Sequence, residues 1–127
     1  MLNELQDWIQ AVLPEYTYFR GQWVDTEANA TKFVASIHRG GGPMPDVDVR
    51  RPRFRLILLG PRIHPVTGTD GRQFAEQVEQ NMEALMQASL GDSLPCGAAS
   101  VRISEPLGPG YTTENRAWVS ADLQIIF

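Results

Sequence analysis

Residues 116–127 read RAWVSADLQIIF, and their side chains alternate. Ala117, Val119, Ala121, Leu123, Ile125 and Phe127 share one parity, and Trp118, Ser120, Asp122 and Gln124 share the other. A period of two is the pattern of a β-strand with one buried face, whereas a helix would scatter the same residues around its circumference. A lone strand is not stable in water, so this segment commits the chain to a sheet and to something that covers the apolar face. At its tip Ile125, Ile126 and Phe127 put apolar groups on both faces. An uncovered tip of that kind promotes aggregation. The expectation is that the first helix covers one face and a neighbouring subunit the other.

The rest of the chain must supply partner strands and cover. Over residues 2–13 the apolar positions Leu2, Leu5, Trp8, Ile9, Val12 and Leu13 are spaced three and four apart and stop at Pro14, which predicts a short amphipathic helix. GQWVDT and TKFVASIH, separated by EANA, carry β-branched and aromatic residues around a short connection and predict a hairpin. RGGGPMPDVDVRRP (39–52) is too punctuated by Gly and Pro for regular structure. It reads as a hinge or lip that orders against a partner, or as a plain surface loop. RFRLILLG predicts a strand with Phe54, Leu56 and Leu58 on a core face; Arg51, Arg53, Arg55, Ile57 and Leu59 share the other, which starts charged and becomes apolar.

Asp70 with Gln73 resembles a capping box and opens a second helix. Phe74, Val78, Met82 and Leu85 lie on its inner face, Glu76, Glu79, Glu83 and Gln87 lie outside, and Gly91 offers a stop. AASVRISEP reads as a strand and LGPGYTT as a turn before the closing strand. The predicted order is α-β-β-β-α-β-β. This is an α+β fold with a mainly antiparallel sheet and two helices packed on one face, in a single domain over residues 1–127.

A formal net charge of −4 argues against a surface dedicated to nucleic-acid phosphates. The single cysteine, Cys96, can form no internal disulfide and fits a reducing compartment. The first residues lack the basic region of a signal peptide, and no apolar run is long enough to span a bilayer. Candidate reactive groups are His38, His64, Cys96, Asp46, Asp48, Asp70 and Glu105, but their spacings match no nucleophile and base and no zinc site. The expectation is therefore no enzyme, no cofactor and no metal. HRGGGP has neither the Lys-Ser/Thr of a P-loop nor the glycine spacing of a dinucleotide fingerprint. Arg50, Arg51, Arg53 and Arg55 are the one concentrated positive charge. They form a solvated strand face, or pair with acids such as Glu114 or Asp122 of a neighbouring subunit, or touch nucleic acid.

Five segments together resemble the tail terminator, or tail-completion, proteins of long-tailed bacteriophages, some of which are called minor tail or minor capsid proteins. These are LPEYTYFRGQW after the first helix, TKFVASIHRGGG, PRFRLILLGPR, DGRQFAEQVEQNMEAL, and PLGPGYTTENRAWVSADLQIIF with its acid-x-Arg step. The resemblance implies an α+β subunit that forms a ring, usually of six copies, which caps the tail tube, ends its growth and meets the head-completion or connector protein. It implies a virion location in the tail or neck after assembly in the host bacterial cytoplasm, with no membrane and no sequence-specific nucleic acid among its partners. The expected subunit or tail-tube contacts are Arg39, Gly40, Gly41, Gly42, Asp46, Asp48, Arg51, Arg53, Arg55, Glu114 and Phe127. The competing expectation is a non-viral cytoplasmic interaction domain that binds a peptide or small molecule.

Overall fold

The computed structural model describes residues 2–20, 32–39, 53–62, 69–91, 94, 100–112 and 116–126. Helix α1 (Leu2–Val12) is followed by strands β1 (Thr17–Arg20), β2 (Val34–Arg39) and β3 (Arg53–Arg62). Helix α2 (Thr69–Ala88) comes next, then β4 (Ser100–Ile103), β5 (Leu107–Tyr111) and β6 (Arg116–Ile126). The architecture is α+β with a six-stranded, mainly antiparallel sheet in the order β1-β2-β3-β6-β4.

Strand β6 is held within the chain, in the interior of the sheet. Strand β3 takes one edge of β6, while β4 and β5 lie end to end on the other. Ser104 ties the junction of those two strands to β6, its N–H donating to the Asp122 carbonyl at 2.8 Å and its Oγ accepting from the Asp122 N–H at 2.9 Å. At the tip Ile125 stands opposite Val101 and is fully buried. The helix running along β6 is α2, and α1 packs against α2. Ile125 thus lies on the core face and is covered within the chain, with α2 rather than the expected first helix running along the strand, whereas Ile126 on the other face is half-buried and Phe127 lies outside the described residues.

Both helices share one core with the sheet. Leu5 and Ile9 from α1 and Val78, Met82 and Leu85 from α2 are fully buried against Leu56, Leu58, Val119 and Leu123, with Val12 and Phe74 half-buried at the margin. Burying side chains of this size stabilises by about 1.5–3 kcal/mol each, so this layer dominates folding. Polar links fasten its rim. Asn81 donates to the buried Tyr16 hydroxyl at 2.7 Å, and the Tyr18 hydroxyl donates to the Leu13 carbonyl at 2.6 Å. Burial pushes both phenols well above their ordinary ionisation range, so they stay protonated and keep these bonds.

Three expectations change. The predicted hairpin has its first arm, GQWVDT, outside the described residues. Strand β2 instead pairs with β1 in parallel along residues 34–37 and with β3 on its other edge, so no edge is left there for a hairpin arm. The predicted turn LGPGYTT opens with β5, which brings the order to α-β-β-β-α-β-β-β. Its glycines misled the reading. A side chain at Gly110 would lie within 2.8 Å of the Trp118 indole, so glycine here lets the strand approach the ring closely rather than turn. Finally, α2 starts at Thr69, one residue ahead of an Asp70 cap.

Candidate functional site

The sheet face opposite the core cluster is ordered along its length by the register. Across β2, β3, β6 and β5, Val34, Leu59, Trp118 and Gly110 stand in one row, and Ser36, Ile57, Ser120 and Leu107 in the next. Val34, Leu59, Ser36 and Ser120 in these rows are buried. The following row is His38, Arg55 and Asp122, and the last is Arg53, Gln124 and Arg102 across β3, β6 and β4. The face therefore passes from buried to charged, as the arginine-to-apolar switch within RFRLILLG implies.

The charged end is the candidate site. Arg53, Arg55 and Arg102 line a shallow cavity of about 280 Å³ together with Asp122, Gln124 and Ser104. Adjacent strands lie ~4.8 Å apart, which sets Arg53 and Arg102 on either side of Gln124 at roughly 10 Å. Three guanidiniums against one carboxylate leave two net positive charges in a chain whose formal charge is −4. Arg55 Nε donates to Asp122 Oδ1 at 3.1 Å, with both side chains about half exposed. A pair in that setting contributes ~0–1 kcal/mol. The expected meeting of this arginine face with Asp122 of a neighbour is corrected, because the two residues are cross-strand partners within the chain.

Ser104 and Glu105 are consecutive and line different cavities. Ser104 faces the arginines, whereas Glu105 joins Glu79 and Glu83 from the outer side of α2 in a cleft of about 490 Å³. Glu79 and Glu83 are one helical turn apart, and Val119, which belongs to the core cluster, also lines the cleft. A basic hollow and an acidic hollow thus open on the two faces of the sheet at the β4–β5 edge.

A third feature lies at the opposite end of β6. Arg116 is fully buried, and its Nη1 donates to the carbonyls of Lys32 at 3.0 Å and Gly60 at 2.9 Å, tying the approach to β2 to the late part of β3. The Arg116 N–H and carbonyl also pair with Thr112.

Of the sequence-predicted contact residues, Arg53 and Arg55 come together. Arg39 is exposed at the end of β2 opposite Phe54, on the core-side parity and away from the arginine cavity. Gly40, Gly41, Gly42, Asp46, Asp48, Arg51, Glu114 and Phe127 lie outside the described residues, as do His64 and Cys96. His38 stands opposite Arg55 and Glu105 lines the acidic cleft, so these two candidate reactive groups are not brought together. Among the described residues no group of three or more His, Cys, Asp or Glu side chains could hold a metal ion, and no helix is long and apolar enough to cross a membrane. Arg102 and Gln124 were missed because only the β4–β6 register sets them beside Arg53. No protein-family model matches the chain, and no curated protein matches it in sequence.

Proposed function

We propose that this protein is a structural subunit of a phage virion, of the tail-terminator type, which assembles as a ring on the tail tube, ends tube growth and offers a surface for the head-completion protein. The observation that carries the reading is the arginine cavity. Three guanidiniums from two strands are mounted on a sheet whose closing strand is fixed on both edges, which suits docking to acidic protein surfaces. Support also comes from the fold, an α+β domain with two helices and one sheet, which is the kind of subunit that the resemblance implies. The reading needs no catalytic step.

A second reading, an interaction domain that takes a basic peptide, draws on the acidic cleft of about 490 Å³, a volume in the usual range for small-ligand sites. The two separate by light scattering coupled to gel filtration. A terminator forms a discrete ring as protein concentration rises or when purified tail tubes are added, whereas a peptide-binding domain stays monomeric, leaves tubes unbound and binds its peptide one to one.

A further inference from the structure

The two hollows at the β4–β5 edge are of opposite charge, and both hold charges that have no oppositely charged side-chain partner among the described residues. Among the described residues Arg55 is ion-paired with Asp122, while neither Arg53 nor Arg102 has an acidic partner. On the other face Glu79, Glu83 and Glu105 have no basic partner among the described residues. A guanidinium is a planar fork that takes a carboxylate through two parallel hydrogen bonds, so exposed arginines held in a row are receptors for spaced carboxylates. The molecule carries such carboxylates itself, at the same edge and on the opposite face.

We infer that the arginine cavity of one copy seats against the acidic cleft of the next, with Arg53 and Arg102 meeting Glu79, Glu83 and Glu105. The inference rests on the ring reading and supplies its interface. Because the hollows open on opposite faces of the sheet, one neighbour cannot occupy both. The contact is heterologous and each added copy exposes a fresh hollow of each sign; a series of this kind closes into a ring where the rotation per copy divides the circle and otherwise runs on as a filament, and the ring reading requires the first. Duplex DNA is the other polyanion the arginines could hold. The overall negative charge and the acids on the same edge oppose it.

The test uses the full chain and two variants at exposed positions. One carries Arg53→Glu and Arg102→Glu; the other carries Glu83→Arg and Glu105→Arg. Self-association is followed by sedimentation velocity. Wild type is expected to associate, and to do so more weakly as salt rises from about 0.1 M to about 1 M and the screening length falls from ~10 Å to ~3 Å. Each variant alone is expected to associate at least roughly tenfold more weakly, since like charges then face each other. An equimolar mixture of the two variants is expected to recover association, because each then offers the charge that the other needs. Variants that assemble like wild type, or a mixture that does not recover, would overturn this interface and leave the ring reading standing. So would loss of DNA binding in the arginine variant with self-association unchanged. A wild type that is monomeric at every concentration overturns the interface, and the ring reading falls with it only if the protein also fails to bind tail tubes.

Discussion

Replacing Arg116 by alanine tests how β2, β3 and β6 are fastened together at one end of the sheet. The side chain is fully buried and its Nη1 serves two carbonyls, one at Gly60 in a buried setting and one at Lys32 in a half-buried one. A hydrogen bond from a charged donor contributes about 1.5–3 kcal/mol, and a buried acceptor left without a donor loses most of it. Water can reach the half-buried Lys32 carbonyl, so its share is about 1 kcal/mol. The expected loss is about 2.5–4 kcal/mol. With an unfolding entropy of about 2.1 cal/mol/K per residue, that corresponds to a fall in Tm of roughly 9–15 °C for a chain of this length. Arg116→Lys, which keeps the charge and loses the fork, should fall between the two. The assay is thermal and urea unfolding followed by circular dichroism, with wild type, Arg116→Ala, Arg116→Lys and Arg116→Met measured together. If Arg116→Met matched wild type, the residue would be filling space, and the hydrogen-bond reasoning would be refuted.

The remaining perturbations address the core, its polar rim and the helix contact. Val78→Asp places a carboxylate in the fully buried layer between α2 and the sheet and should abolish cooperative unfolding and solubility; a soluble, cooperatively melting variant would mean that α2 presents another face to the sheet. Tyr16 and Tyr18 ionise later in the folded state than in the unfolded chain, where the value is 10.0, so their contribution is complete below pH 10 and is lost as pH rises further. Urea titrations should accordingly show stability falling above pH 10, less steeply in Tyr16→Phe than in wild type, and equal slopes would contradict the burial of that phenol. Gly60→Ala would bring a methyl group within 3.0 Å of the Phe74 Cβ, so it should lower stability by about 1–3 kcal/mol. An unchanged denaturation midpoint would show that α2 can move away from β3 without loss.

Periodicity carried most of the fold. The spacing of Leu5 and Ile9 in α1, and of Val78, Met82 and Leu85 in α2, already states which helix faces are buried, and the alternation over residues 117–125 states the same for β6. The parallel pairing of β1 with β2 was not legible, because a four-residue strand beside Pro14 has no period to read and its partner is chosen by tertiary contacts. Strand β5 was hidden for a different reason. Gly110 is needed there by the Trp118 indole, a neighbour across the ladder that no local pattern announces. The site shows the same division. Arg53 and Arg55 stand out as a local run, whereas Arg102 joins them only through the β4–β6 register. Arg116 was visible as part of an acid-x-Arg step, but its burial and its two carbonyl partners follow from how β2, β3 and β6 meet.

The role proposed for this protein is to end a tail tube as a ring. The most direct measurement is electron microscopy of tubes polymerised from the tail-tube protein of the same genome, with and without this protein. A closed ring is expected at one end of each tube, with tubes that stop lengthening once the protein is added and capping weakened by Arg53→Glu combined with Arg102→Glu. Tubes that keep growing with bare ends, in the presence of a protein that stays monomeric, would contradict it.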